Sequence, residues 1–281
     1  MSQFWPDEAG EPPAILVDIR DRVGVVTLNR PDRLNAWTPA MGTLYFNTLD
    51  RLAGDAAVNV ILLHGAGRGF CAGADMQGLH NIAASGGKTP NRDPRGYLYP
   101  MSIGKPIVAA LHGPCYTVGL QQALCCDVRF AARDVNIAAP YAKRGLIAEV
   151  GISWQLSRIV GTSNTLDLLL SGRTVDGEEA LRLGLVNRLF DVDELLQRSF
   201  EYCATLATEC SPWAMRTIKQ QVYHDLMTTL PAAYEQSEQW LKASLAGQDF
   251  AEGIAAFRDK RQPHFSGLPA QLARLDPWPG V

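Results

Sequence analysis

Short apolar runs alternate with longer amphipathic segments along the first half of the chain. Two such runs, Ile15 to Ile19 and Val23 to Leu28, are separated by three polar residues, which predicts a β-hairpin. Two later runs, Val58 to Leu63 and Ile107 to Leu111, have the length and apolar content of buried strands. Strands that alternate with helices are typical of an α/β fold with crossover connections. The pattern therefore predicts repeated units of strand, turn and helix.

Helix signals lie between and after these runs. Thr38, followed by proline, predicts the N-cap of a helix that continues to about Ala53. From Ser153 onward the periodicity is mostly helical, and glycines mark the expected helix ends, including a break at Gly247. We expect a core over residues 1–210 and a C-terminal helical region over residues 211–281. That region has more apolar residues than it can bury alone, so it is expected to pack on the core or on a neighbouring subunit.

Two irregular segments are expected to be loosely held. Residues 1–13 predict a loose tail, and residues 83–94 predict a mobile surface loop because they are rich in Gly, Pro, Lys and Asn. Three bulky residues that follow this loop, Tyr97, Leu98 and Tyr99, are candidates for an apolar binding pocket.

The turn after the third apolar run carries the first candidate chemistry. It spans Arg68 to Asp75, and its small residues Ala72, Gly73 and Ala74 leave the backbone open to a ligand oxygen. Asp75 precedes a predicted helical turn, whose positive end favours a carboxylate. Backbone N–H groups that converge on one oxygen form an oxyanion hole. An ordinary strand–turn–helix joint is the alternative interpretation.

Composition and charge exclude several classes of protein. The chain has 281 residues and a net charge of −3, which suits one large domain or a core with an appendage and gives no basic footprint for nucleic acid. No apolar run has the length of a membrane span. The acidic, proline-containing start is not expected to be a signal peptide, and six scattered cysteines favour a reduced, cytoplasmic setting.

Other catalytic and cofactor motifs are missing from the sequence. It has no Gly-x-Ser-x-Gly elbow for a Ser-His-Asp hydrolase, no Walker pattern and no dinucleotide fingerprint, and no metal or redox cofactor is implied. His64, His112 and Asp127 are therefore expected to have structural roles.

Four stretches, taken in order, resemble the crotonase superfamily, also called the enoyl-CoA hydratase/isomerase family. They are Asn29-Arg30-Pro31 with Asn35-Ala36, Phe70 to Asp75, His112-Gly113 through Gly119 to Cys126-Asp127, and Gly145-Leu146 through Gln155-Leu156 to Gly161. The resemblance implies an α/β fold, a spiral of repeated ββα units with a C-terminal helical trimerisation region. It also implies a homotrimer or dimer of trimers and CoA thioester substrates, with coenzyme A as part of the substrate and no separate cofactor.

The resemblance implies which backbone groups form the oxyanion hole. Matched residue by residue, the donors are the N–H groups of Ala74 and Val118. The family usually has glycine where Val118 stands, and any non-proline residue keeps the N–H donor. Gly119 is the other candidate for the second donor.

The acid–base residues depart from the family pattern. Hydratases of the family usually carry two glutamates, and the matching positions here are Gln121 and Tyr141. An amide does not titrate and a phenol has a pKa near ~10, so neither removes a proton from carbon at neutral pH. Glu149, which precedes a predicted helix, matches the single glutamate of the family's isomerases. A carboxylate that only stabilises the helix N-terminus is the alternative.

Further contacts with CoA follow from the same resemblance. The positions that line CoA in the family are those of Arg33, Leu34, Ala36, Ala72, Asp75 and Met76. Lys260 matches a basic residue that reaches CoA phosphates from a neighbouring subunit, and a solvated helix end is the alternative for it.

The sequence thus predicts an isomerase that converts 3-enoyl-CoA to 2-enoyl-CoA with Glu149 as the only acid–base group. In the main alternative, Glu149 orients water for hydration of a 2-enoyl-CoA, and Gln121 or Tyr141 holds the water. A catalytically silent acyl-CoA-binding paralogue and a hydrolase that uses the same oxyanion pair also remain open.

Overall fold

The computed structural model describes residues 13–89 and 93–276, which form nine strands and ten α-helices. The strands are β1 (Ile15–Arg20), β2 (Val23–Leu28), β3 (Val60–Gly65), β4 (Ile107–Leu111), β5 (Pro114–Tyr116), β6 (Val128–Ala132), β7 (Asn136–Ala138), β8 (Thr174–Val175) and β9 (Arg188–Phe190). The helices are α1 (Pro39–Gly54), α2 (Met76–Ala84), α3 (Val118–Leu124), α4 (Ile152–Ile159), α5 (Thr162–Ser171), α6 (Gly177–Arg182), α7 (Val192–Glu209), α8 (Pro212–Asp225), α9 (Leu230–Leu245) and α10 (Gln248–Asp259). Residues 1–12 of the predicted tail and residues 90–92 of the predicted 83–94 loop lie outside the described residues.

Two sheets organise the core. The larger has the order β1-β2-β3-β4-β6-β9, in which β1 and β2 are antiparallel and every other pair is parallel. The smaller sheet has the order β5-β7-β8. Its first two strands, β5 and β7, come directly after β4 and β6 in the chain. The predicted hairpin is confirmed, and so is the α/β class, because the parallel pairs require crossover connections.

The strands of the larger sheet are buried on both faces, which explains why they read as nearly continuous apolar runs. Side chains alternate between the faces along each strand. In β3, Leu62 belongs to the same buried apolar cluster as Phe200 of α7, while Ile61 and Leu63 belong to a second cluster, on the other face, that includes Leu49 of α1. Helices on both faces therefore hold the carboxyl ends of the strands, from which the functional turns emerge.

Asp127 ties the C-terminal helices to this sheet. Its carboxylate lies 2.8 Å from the Lys219 ammonium of α8, and it accepts hydrogen bonds from the Ile107 N–H at 2.7 Å and the Tyr223 hydroxyl at 2.9 Å. The expectation that Asp127 is structural is thus confirmed. The helical run after residue 211 is broken at residues 226–229 as well as at Gly247, and only the second break was expected. The boundary at residue 210 stays a prediction.

Within the two described ranges, no helix is both long enough and apolar enough to cross a bilayer. All six cysteines are free thiols, and five of them are buried. Burial raises the pKa of the Cys71 thiol to about 12, so this thiol stays protonated and packs as a small apolar group.

His64 gives the fold a predictable response to acid. Its Nε2 lies 2.8 Å from the Thr27 hydroxyl on β2, and burial lowers the pKa of His64 to about 4. The unfolded chain binds a proton near the ordinary pKa of 6.5 while the folded protein does not. This contribution to stability is therefore complete above pH 6.5 and is lost as pH falls toward 4.

We expect the free energy of unfolding to fall by about 2 kcal/mol between pH 7 and pH 4.5 because of His64 alone. Urea unfolding of the wild type and of His64→Gln at both pH values measures this term. The variant should lose less stability on acidification than the wild type does, and equal losses would contradict the assignment.

Candidate active site

The turn between β3 and α2 is held by a short β-bridge to the loop before α1. The Trp37 N–H donates to the Gly73 carbonyl at 2.7 Å, and the Asp75 N–H donates to the Trp37 carbonyl at 3.0 Å. The bridge uses groups on either side of Ala74, and in the described part of the chain the Ala74 N–H donates to no backbone acceptor. Asp75 caps α2 by accepting from the Gln77 N–H at 3.1 Å, as predicted.

The second turn joins β5 to α3 and ends at Val118, the first residue of that helix. The first N–H groups of a helix have no acceptor within the helix, so the Val118 N–H is available to a ligand. The residue before it, Thr117, donates its N–H to the Ala138 carbonyl at 3.0 Å. These bonds fix the backbone on both sides of the candidate donor.

Close backbone contact brings the two turns together. Cys71 and Cys115 form a parallel β-bridge, and the Tyr116 N–H donates to the Cys71 carbonyl at 2.9 Å. A Cβ atom at Gly119 would lie 2.3 Å from the Cys71 oxygen, so only glycine fits there. Gly119 is buried and is not one of the cavity-lining residues, whereas Val118 is. Val118 is therefore the better placed candidate for the second donor.

A cavity of about 530 Å³ opens beside these turns. Its lining includes both candidate donor residues, Ala74 and Val118, and the candidate base, Glu149. Most of the remaining wall is apolar or aromatic, which suits an acyl chain. The larger side chains of that wall belong to Trp37, Leu79, Ile82, Tyr97, Tyr141 and Leu146.

Glu149 reaches this cavity from a tight turn before α4. The Ile152 N–H donates to the Glu149 carbonyl at 3.1 Å, and Val150 and Gly151 both have positive φ, at 47° and 79°. Val150 is β-branched, and such a residue adopts a positive φ only where the surrounding structure imposes it. The half-buried Glu149 is thus presented from a constrained segment rather than from the regular part of a helix.

Tyr141 lines the same cavity and lies near Glu149. Its side chain is buried, and that burial, together with the negative charge of Glu149, raises the pKa of the phenol well above its usual range. The phenol is therefore protonated at neutral pH and is able to donate a hydrogen bond to a ligand. It supplies no second base.

Gln121 is a core residue, which corrects its predicted place among the substrate contacts. Its side chain is fully buried, its Nε2 donates to Gln155 Oε1 at 2.5 Å, and it is not one of the cavity-lining residues. Helix α3 turns this side chain toward α4, where two amides can pair. The position at which the family's hydratases usually carry a glutamate is thus occupied here by a side chain that packs in the core.

The loop before α1 is clamped against the first turn. The Arg30 guanidinium donates to the Ala36 carbonyl and lies 3.3 Å from the Asp75 carboxylate. The Ala72 N–H donates to the Leu34 carbonyl at 3.0 Å. The predicted CoA-binding residues of the loop and of the turn therefore lie side by side, although of these only Asp75 lines the cavity.

Three predicted CoA contacts are exposed. Arg33 lies on the loop, Met76 begins α2, and Lys260 follows α10 with a φ of 51°. None of them lines the cavity, so their contacts with CoA stay predictions, and for Lys260 the contact requires a neighbouring subunit.

The cavity also contains residues that differ from the predicted set. Of the three candidates after the 83–94 loop, Tyr97 lines the cavity, whereas the Tyr99 hydroxyl donates to Asp50 instead. Thr117 and Arg144 line it as well, although neither was singled out from the sequence. Among the described residues, no cluster of three or more His, Cys, Asp or Glu is placed to hold a metal ion.

Two unpaired backbone donors and one carboxylate on a single apolar cavity define a class of site. Such a site stabilises negative charge on a carbonyl oxygen while a proton moves at a nearby carbon.

Comparisons with known proteins agree with this class. The sequence profile described as enoyl-CoA hydratase/isomerase matches residues 18–268. The chain is 33% identical over 253 residues to the probable enoyl-CoA hydratase echA8 of Mycobacterium leprae, covering 90% of this chain and 97% of that protein. It is 29% identical over 258 residues to the 1,2-epoxyphenylacetyl-CoA isomerase of Escherichia coli, covering 90% and 98%.

A solved structure shows the same fold. The crystal structure of a probable enoyl-CoA hydratase/isomerase from Mycobacterium abscessus superposes with a TM-score of 0.83 at 28% identity, covering 90% of this chain and 99% of the other. The chain therefore belongs to the enoyl-CoA hydratase/isomerase family of enzymes, the crotonase superfamily. The crotonase-like α/β fold expected from the resemblance is confirmed, whereas the role of the C-terminal helices in trimerisation stays a prediction.

Proposed function

We propose that this protein isomerises 3-enoyl-CoA thioesters to 2-enoyl-CoA thioesters, with Glu149 as the only acid–base group. One observation carries the proposal: Glu149 lines the same cavity as Ala74 and Val118. The two positions at which the family's hydratases carry glutamate hold Gln121 and Tyr141, and neither side chain acts as a base at neutral pH.

The reaction needs only one carboxylate because it moves a proton and consumes no water. The thioester oxygen accepts hydrogen bonds from the Ala74 and Val118 N–H groups. The Glu149 carboxylate takes a proton from C2, and the electron pair of that C–H bond enters a dienolate whose charge rests on the thioester oxygen. The same carboxyl group then gives the proton to C4, the remaining double bond moves to C2–C3, and the thioester carbonyl is restored.

The backbone donors lower the barrier because they bind the dienolate more strongly than the neutral thioester. Removing one such donor typically costs about 100- to 1000-fold in rate. The apolar cavity wall strengthens the effect, since it keeps water from competing for the oxygen.

Hydration of a 2-enoyl-CoA is the second candidate, and Tyr141 favours it. The protonated phenol lies near Glu149 on the cavity wall and is able to hold a water molecule for that carboxylate. Relatives of the chain carry both names, since one is named a 2,3-dehydroadipyl-CoA hydratase and another a 1,2-epoxyphenylacetyl-CoA isomerase.

Ultraviolet absorbance of the conjugated enoyl thioester separates these functions. Isomerisation of a 3-enoyl-CoA raises the absorbance, whereas hydration of a 2-enoyl-CoA lowers it. We expect a rise with the first substrate and little change with the second. A fall with the second substrate alone would favour hydration, and binding of both without any change would indicate a silent paralogue.

The assembly expected from the family is a homotrimer or a dimer of trimers. Helices α9 and α10 support it, since their exposed apolar side chains need a partner surface. Leu230 is 83% exposed and Phe257 is 87% exposed. Light scattering after gel filtration should give a mass of three or six chains of 30.7 kDa.

A further inference from the structure

Thr117 has a backbone conformation that its residue type rarely adopts. Its φ is 44° and its ψ is −103°, in a region that side chains branched at Cβ disfavour. Two hydrogen bonds hold it there, from the Thr117 N–H to the Ala138 carbonyl at 3.0 Å and from the Gln121 N–H to the Thr117 carbonyl at 2.8 Å. Strain of this kind persists where the surrounding structure imposes it and is concentrated at functional sites.

The side chain of Thr117 lies against the first turn, beside Gly73. Thr117 immediately precedes Val118, and a Cβ atom at Gly73 would lie only 2.2 Å from the Thr117 Oγ1. The hydroxyl therefore occupies the space over Gly73, the residue before Ala74. Gly73 itself has a φ of 100°, which residues with a side chain rarely adopt.

The Thr117 hydroxyl is also available to a ligand. Thr117 lines the cavity together with Ala74, Val118 and Glu149. No hydrogen bond occupies its Oγ1 in the described part of the chain. A hydroxyl that lines an apolar cavity beside two unpaired N–H groups has a natural acceptor in a carbonyl oxygen placed between them.

We propose that the Thr117 hydroxyl is a third hydrogen-bond donor to the thioester oxygen of the substrate, beside the Ala74 and Val118 N–H groups. This inference rests on the proposed function in that a thioester carbonyl must occupy the oxyanion hole. A neutral carbonyl oxygen has two lone pairs, so three donors must share them and the hydroxyl forms only a weak bond to the thioester. An enolate oxygen has three, so a third donor stabilises the enolate more than the thioester and raises kcat.

Three substitutions separate a catalytic hydroxyl from a strained but inert side chain. Thr117→Val keeps the shape and the strain but removes the donor, and we expect kcat to fall about 100-fold with little change in KM. Thr117→Ser keeps the donor and should retain activity within a few-fold of the wild type. Thr117→Gly relieves the backbone strain, which we expect to outweigh the extra freedom that glycine has in the unfolded chain, so its Tm should rise by about 2–4 °C while its activity falls as in the valine variant.

Either of two results would overturn the proposal. One is a correctly folded Thr117→Val protein with the kcat of the wild type. The other is a Thr117→Gly protein that is both more stable and as active as the wild type, because the Thr117 side chain would then destabilise the fold without contributing to catalysis. Thermal unfolding of each variant identifies any that fails to fold, and the serine variant provides the comparison at matched stability.

A spectroscopic readout keeps this test independent of the reaction. The probe is butanoyl-CoA labelled with ¹³C at the thioester carbonyl, which has no double bond to isomerise. Its carbonyl stretch should move to lower wavenumber on binding to the wild type and to Thr117→Ser, and clearly less on binding to Thr117→Val. Equal shifts in all three proteins would contradict the third donor. The shift could depend on the Thr117 hydroxyl even if the wild type isomerises no 3-enoyl-CoA. In that case the proposed function would be wrong, while Thr117 would still be a hydrogen-bond donor to the thioester.

Discussion

Replacing Glu149 with glutamine is expected to lower kcat for isomerisation of a 3-enoyl-CoA by about 100- to 10,000-fold. Glutamine has nearly the same shape but takes no proton from carbon, so the dienolate no longer forms. Substrate binding should change little, because Ala74, Val118 and the apolar wall remain. Steady-state rates from the absorbance of the conjugated product, together with KM, measure both effects.

Glu178→Gln is the matched control for this substitution. Glu178 is an exposed carboxylate on α6 that pairs with Arg133, and it is not one of the cavity-lining residues. The control variant should keep the kcat and KM of the wild type. If Glu149→Gln also turned over 3-enoyl-CoA at close to the wild-type rate, Glu149 would not be the base and the single-carboxylate mechanism would be wrong.

Gly119→Ala is expected to impair both folding and activity strongly. The added Cβ would lie 2.3 Å from the Cys71 oxygen and 3.1 Å from the Cys71 carbonyl carbon. Backbone atoms cannot move aside as the end of a side chain does, so the two turns must separate. We expect a loss of about 3 kcal/mol in the free energy of unfolding.

The same substitution should also lower kcat/KM by about 100-fold in the fraction that remains folded, because the Val118 N–H moves relative to the Ala74 N–H. Gly54→Ala is the control, since a Cβ atom there meets nothing within 4 Å at the end of α1. It should leave activity unchanged and stability equal or slightly higher. Urea unfolding measures the stability of both variants, and enoyl-CoA kinetics measure their kcat/KM. A Gly119→Ala protein with wild-type stability would contradict the close contact between Gly119 and the Cys71 backbone.

Local chemistry made much of the fold predictable from the sequence. The Thr38 hydroxyl accepts from the Met41 N–H, and Asp75 accepts from the Gln77 N–H, as the positions of both residues before a helix predicted. The strand β4 begins and ends where its apolar run does. Helix caps and buried strands are determined by a few neighbouring residues, so the sequence alone predicts them.

Features that depend on distant contacts were not predicted. The three-residue strand β9 is defined by its pairing with β6 and is too short to show a periodicity. The break at residues 226–229 is different, because it has a local signal that was overlooked: Thr229 is the N-cap of α9 and a proline follows in its first turn.

In the candidate site, too, the locally determined features were predictable and the features that depend on distant contacts were not. The turn at Ala74 and the carboxylate at Glu149 follow from local pattern and resemblance. The burial of Gln121 follows from the way α3 packs on α4, because Gln155 of α4 accepts its amide hydrogen. The strained Thr117 is held in place by Ala138, a residue 21 positions further along the chain. Such partners are invisible until the fold brings them together.

The most direct test of the mechanism is a crystal structure of the protein with a bound, unreactive acyl-CoA. The account predicts that the thioester oxygen lies about 3 Å from both the Ala74 and the Val118 nitrogen atoms, with the Glu149 carboxylate about 3–3.5 Å from C2. A thioester oxygen that contacts neither N–H group, or a Glu149 carboxylate turned away from C2 into solvent, would contradict it.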